Sequence, residues 1–214
     1  MGGSQHFVSC AALCALFVAL AGCQSTRERL DLADNDKLYA TPRYRAKVAA
    51  DRKAFVPPTV DERQGVAVEE AAGPYPTQWM ADGYWERTPA EMVGDCLRTA
   101  FIDCGVFAGM EETTPPAAET LIVEPQLLVM RGGQEERVHG RRSVGMASLR
   151  IVVRGPAVDG ERPILLDEVF EQSVSSGIAT EPERVPVVVG RAVQLAIARI
   201  VAKLDQSNVA RSGI

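Results

Sequence analysis

Histidine is almost missing from this chain: of its 214 residues only His6 and His139 carry an imidazole. A histidine-rich zinc site is thereby excluded, and a Ser-His-Asp or Cys-His centre would have to be built on a single side chain. His139 stands in Gln134-Glu135-Glu136-Arg137-Val138-His139-Gly140-Arg141-Arg142, a stretch that reads as a polar connection and suits a solvated histidine better than a catalyst. The P-loop, GxGxxG and GxSxG patterns are absent as well, so no phosphate cradle and no nucleophile elbow is announced. An enzyme here would rest on carboxylates alone, and none forms a convincing acid-base pair. The chain reads as a non-enzyme with no metal and no cofactor.

Positive charge is also in short supply. Lys and Arg number 23 against 28 Asp and Glu, a formal charge of -5, and no basic block stands out, which argues against a nucleic-acid partner held through phosphates. Residues 1–22 contain no Lys or Arg, leaving His6 as the one source of partial positive charge where a secretory signal usually opens with basic residues. N-myristoylation at Gly2 is excluded, because His6 occupies the place of the required Ser or Thr. There is no early apolar run of the about 20 residues that a membrane span needs. Phe7 to Ala21, FVSCAALCALFVALA, is uncharged but shorter, the length of a signal-peptide hydrophobic region.

That run ends in Leu20-Ala21-Gly22-Cys23, followed by Gln24-Ser25. The tetrapeptide resembles the lipobox of bacterial lipoproteins at every position. The resemblance implies cleavage before Cys23, with Leu20, Ala21 and Gly22 as the signal-peptidase recognition residues and Cys23 as the lipidated residue. A diacylglyceryl group on the sulfur and a further acyl chain on the freed amine anchor stably, since each buried CH₂ contributes about 0.8 kcal/mol and one chain alone holds marginally. The partner implied is a membrane, engaged through acyl chains on Cys23. By the same family's sorting pattern, Gln24 after the cysteine points to the outer membrane, with the folded part facing the periplasm.

The organisation expected is a signal peptide over residues 1–22, a lipidated cysteine and flexible tether over 23–50, a folded periplasmic domain over 51–205, and a frayed tail over 206–214. The tether is assigned from its density of charge and scarcity of aliphatic clusters. Of the five cysteines, Cys10 and Cys14 leave with the signal and Cys23 becomes the anchor. Cys96 and Cys104, if on one helix, lie about 12 Å apart, too far for a disulfide, and are expected as buried apolar thiols.

Ala54 to Val56 reads as a first strand stopped by Pro57 and Pro58. Gly65 to Arg87 reads as a long surface loop holding both tryptophans, and Trp79, Tyr84 and Trp85 are the candidate partner surface, with capping of the core as the plainer alternative. At Thr88-Pro89-Ala90-Glu91 a helix should start, with Thr88 as N-cap, Pro89 at the first helical position and Glu91 completing a capping box. Met92, Val93, Cys96, Leu97, Ala100, Phe101 and Cys104 form its apolar stripe, and Gly105 ends it. Val106-Phe107 should enter a short strand. Extended runs follow at Thr120 to Met130, Val144 to Arg154 and Ile164 to Val174, with Gly132-Gly133 and Asp159-Gly160 marking the connections. A last helix, roughly Pro186 to Asp205, should cross the sheet with its wide apolar stripe.

This order predicts an α+β fold, a two-layer sandwich of a mostly antiparallel sheet with two helices packed on one face. With FVPPTVDER as an opening strand, WERTPAEMVGDCLRTAFIDCGVF as a helix running into a strand, and a closing strand plus helix, the chain resembles the ABC-transport auxiliary lipoproteins. Penicillin-binding-protein activator lipoproteins and the LPS-assembly lipoprotein share the architecture. The resemblance covers roughly residues 50–205 and implies an accessory role beside an envelope protein partner, in transport or cell-wall assembly, with no catalytic residue to carry over. The alternative expectation is a carrier for a lipid or other apolar ligand between helices and sheet, which requires a cavity of roughly 300–1,000 Å³.

Overall fold

Thr88, its own backbone extended, opens a helix through its hydrogen bonds. In the computed structural model, which describes residues 44–47, 49–63, 88–181 and 184–211, the helix α1 spans Pro89–Cys104. The Thr88 hydroxyl accepts from the Glu91 amide at 3.3 Å while the Glu91 carboxylate accepts from the Thr88 amide at 3.0 Å, so both halves of the capping box are present. Gly105 closes the other end at φ 66°, its N–H donating to the Ile102 carbonyl. The expected stripe is buried throughout, and the Phe101 ring meets Phe107 edge to face with centroids 5.3 Å apart. Burying a side chain such as Leu97 or Phe101 contributes about 1.5–3 kcal/mol.

The strands are β1 (Lys53–Phe55), β2 (Val60–Asp61), β3 (Gly109–Met110), β4 (Leu121–Arg137), β5 (Gly140–Arg154) and β6 (Ile164–Ser175). They form one sheet in the order β3-β1-β4-β5-β6, with β2 lying beside β4. Its long half, β4-β5-β6, is antiparallel, whereas β1, β2 and β3 are two or three residues each and pair in parallel. The second helix, α2 (Val185–Gln206), lies with α1 on one face of this sheet. Its 22 residues and mean hydropathy of 1.7 match a membrane span in length and composition, but 67% of that stretch is buried inside the fold, where it packs as a core helix. Alternation along the strands sorts Leu121, Val123, Leu127, Leu149, Ile151, Val153 and Phe170 onto the helix face. The expected α+β sandwich is the fold observed.

Gly132-Gly133 is not a connection. Both residues lie inside β4, which runs on with β5 to a two-residue turn at Val138-His139, where Arg137 pairs with Gly140. The glycines serve helix packing: Gly132 is paired with Gly145, and a Cβ on Gly145 would stand 2.5 Å from the Val189 amide nitrogen of α2. One on Gly132 would stand 2.6 Å from the Val189 side chain. Absent side chains let the start of α2 descend onto the sheet. Asp159-Gly160 is a true turn, with φ 51° and 87° and mutual hydrogen bonds between Val158 and Glu161.

The fold also reaches past both expected boundaries. Residues 44–50, placed in the tether, include Tyr44 and Ala50 packed against the core, and the Ala46 amide donates to the Cys104 carbonyl at 2.8 Å, beyond the end of α1. Residues 207–211 do not fray: Val209 and Ala210 are buried, and the Ala210 carbonyl accepts from the amides of Asp51 and Arg52. The first segment is held by the end of α1 and the last by the amides of residues 51 and 52, so neither is held by its own sequence pattern.

Candidate functional site

Leu20, Ala21, Gly22 and Cys23, and the aromatic trio Trp79, Tyr84 and Trp85, lie outside the described residues. His139 is exposed at the tip of the β4–β5 hairpin. Cys96 and Cys104 are buried thiols of α1 that form no disulfide, as their spacing on one helix requires, and burial pushes the Cys104 thiol up, away from the thiolate that a nucleophile needs. Among the described residues no three His, Cys, Asp or Glu side chains gather as metal ligands.

The carboxylates with displaced acidities all move downward. Asp61 is lowered by Arg63, Asp167 by the two-pronged grip of Arg150, and Glu111 by Thr113. A general acid needs the opposite shift. The face of the sheet away from the helices carries cross-strand ion pairs, Arg150 to Asp167 at 2.7 Å and Arg154 to Glu124 at 2.9 Å. They satisfy a solvated surface, and each contributes little to stability.

Among the described residues the buried carboxylate is Asp205, in the last turn of α2 and 7% exposed. Burial alone would raise its pKa, yet it is held below the ordinary aspartate value by three donors: the Tyr44 hydroxyl at 2.6 Å, the Lys47 amide at 3.2 Å, and the Arg211 guanidinium. The same contact raises the Tyr44 pKa, because a phenolate beside a carboxylate is disfavoured. A negative charge at a helix C-terminus opposes the helix dipole. Asp205 persists there because it ties the segment entering the fold to the segment leaving it. Sequence reading missed it, although an aspartate closing an otherwise apolar helix is itself a signal that something positive or hydrogen-bonding must meet it.

Two open troughs flank the short parallel strands. One of about 400 Å³ has an apolar floor of Phe55, Val56 and Met110, a wall at Ile102, and Arg98 and Glu112 along its rim. Another of about 450 Å³ is lined by charged residues, among them Lys53, Glu111 and Glu119. At the opposite side of the sheet, β6 is the outermost strand and exposes Ile164, Leu165 and Val169. Arg199 of α2 overhangs it, donating to the Glu171 carbonyl at 3.5 Å, and Lys203 binds Glu168 at 2.7 Å.

No known protein family matches the chain, and no curated protein matches it. Among solved structures it is similar to the hypothetical protein CT253 from Chlamydia trachomatis, with 13% identity over 76% of this chain and 100% of that one, at a TM-score of 0.48.

Proposed function

We propose that this chain is a lipid-anchored, non-catalytic accessory protein of the bacterial cell envelope, held in the outer membrane by acyl chains on Cys23 and facing the periplasm, where it binds an envelope protein partner in a transport or cell-wall assembly. The observation that carries the reading is the lipobox-like Leu20-Ala21-Gly22-Cys23 at the end of an uncharged run, set ahead of a fold whose described residues begin at Tyr44. Fully extended, residues 24–43 reach at most roughly 70 Å at 3.3–3.6 Å each. A domain on such a leash can meet partners well away from the bilayer surface.

Mass spectrometry of protein made in its native cells tests the anchor. Cys23 is expected as an acylated N-terminal residue in the membrane fraction, and Cys23→Ser is expected to leave the chain unacylated. An unmodified Cys23 still joined to residues 1–22 would overturn the proposal. A photo-crosslinker placed at Trp79 or Trp85 tests the partner half, with one envelope protein captured reproducibly as the expected result and none as the refuting one. The alternative, a carrier for an apolar ligand, draws support from the trough beside Ile102, whose volume lies in the range of small-ligand sites. Its charged rim and open mouth speak for the accessory role instead.

A further inference from the structure

Among the described residues nothing pairs with the outer edge of β6, twelve residues long, and the geometry points to a second copy of this chain as its occupant. The two copies of β6 lie antiparallel about a two-fold axis at Phe170, joining both sheets into one. An unpaired edge of this length is a template for strand addition unless something opposes it. What opposes most registers here is charge: β6 carries Asp167, Glu168 and Glu171 and no basic residue.

Side chains that face each other across an antiparallel pair share one face of the sheet, so a two-fold pairing of β6 with itself must be centred on a residue. Centring on Asp167, Glu168 or Glu171 sets each of those carboxylates against its own copy. Centring on Val169 sets Asp167 against Glu171 twice. Like charges directly opposite are destabilising. Only Phe170, among the five central positions, keeps the carboxylates apart: Asp167 faces Ser173, Glu168 faces Gln172, and Val169 faces Glu171. Leu166 then faces Val174 on the helix side, two side chains already packed against each core, and the Phe170 rings meet on the axis.

The helices complete the match. Arg199 reaches the β6 backbone at Glu171, next to Gln172, which in this register is the residue opposite Glu168 of the other copy. Arg199 of each copy is thereby brought beside Glu168 of the other, where it joins the ion pair that Glu168 already makes with Lys203 of its own copy, and the contact occurs twice by symmetry. The surface is self-complementary in strand register, in apolar pairs and in charge. It requires no lipid, so it stands or falls separately from the anchor.

Light scattering of the full chain in detergent, resolved for protein mass and run over a concentration series, tests this assembly. The expected mass is twice that of one chain. Arg199→Glu and Glu168→Arg are each expected to weaken dimerisation about tenfold or more, and the double exchange is expected to restore it, a rescue that mere surface disturbance does not produce. Far-UV circular dichroism checks that each variant is folded. A single-chain mass for the unaltered protein at every concentration overturns the inference, and so does a dimer indifferent to both single reversals.

Discussion

Replacing Asp205 with alanine removes one acceptor from three donors. A hydrogen bond to a charged group contributes about 1.5–3 kcal/mol, but the bonds to Asp205 share one carboxylate and do not sum. Loss of the charge also relieves its conflict with the C-terminal end of α2, which returns about 0.3–1 kcal/mol. The net expectation for Asp205→Ala is a destabilisation of about 2–3 kcal/mol in urea unfolding, with Tyr44→Phe costing about 1 kcal/mol. In the Asp205→Ala background Tyr44→Phe should cost almost nothing further, since its partner is already gone. Hydrogen exchange should show the amides of Ala46 and Lys47 losing protection before any strand does. The pH dependence has a definite sign. Asp205 is depressed in the folded protein below its ordinary 3.8, so its contribution is complete above that value and is lost as pH falls through the lower folded value. Asp205→Asn should flatten the stability profile in that acid window. A cost below about 0.5 kcal/mol, or unchanged protection at residues 46–47, would refute the reasoning.

Two more outcomes follow from the packing. Gly145→Ala, which drives a Cβ to within 2.5 Å of the Val189 backbone nitrogen, should cost about 2 kcal/mol or more in thermal unfolding, because backbone cannot rotate out of the way. Thr88→Ala should cost about 1 kcal/mol through loss of the cap, with the first turn of α1 exchanging faster and the rest unchanged.

What the sequence disclosed, and what it hid, divides along the distance between the residues involved. The start and stop of α1 were legible because Thr88, Glu91 and Gly105 act on their own neighbours. The three long strands were legible as extended runs, the last almost to the residue, but the end of β4 was not, since Gly132 looks the same whether it turns a chain or admits a helix. β2 escaped notice because two residues pairing in parallel with Gln126 and Leu127 leave no periodic trace. The entering segment around Tyr44 and the leaving segment around Ala210 looked like tails for a related reason: each is ordered by residues outside itself, Asp205 among them, through contacts spanning some 160 residues. Of the candidate site, the anchor motif was readable as a string of letters. The edge of β6 was not, because being outermost is a property of topology.

The tie at Asp205 also sets how the protein bears load. Under the anchoring we propose, a pull from the N-terminal side would reach the described fold first at Tyr44, where a few hydrogen bonds hold residues 44–47 to the ends of both helices. Those few bonds would then part before the strands and the packed helices, which are held by many more contacts.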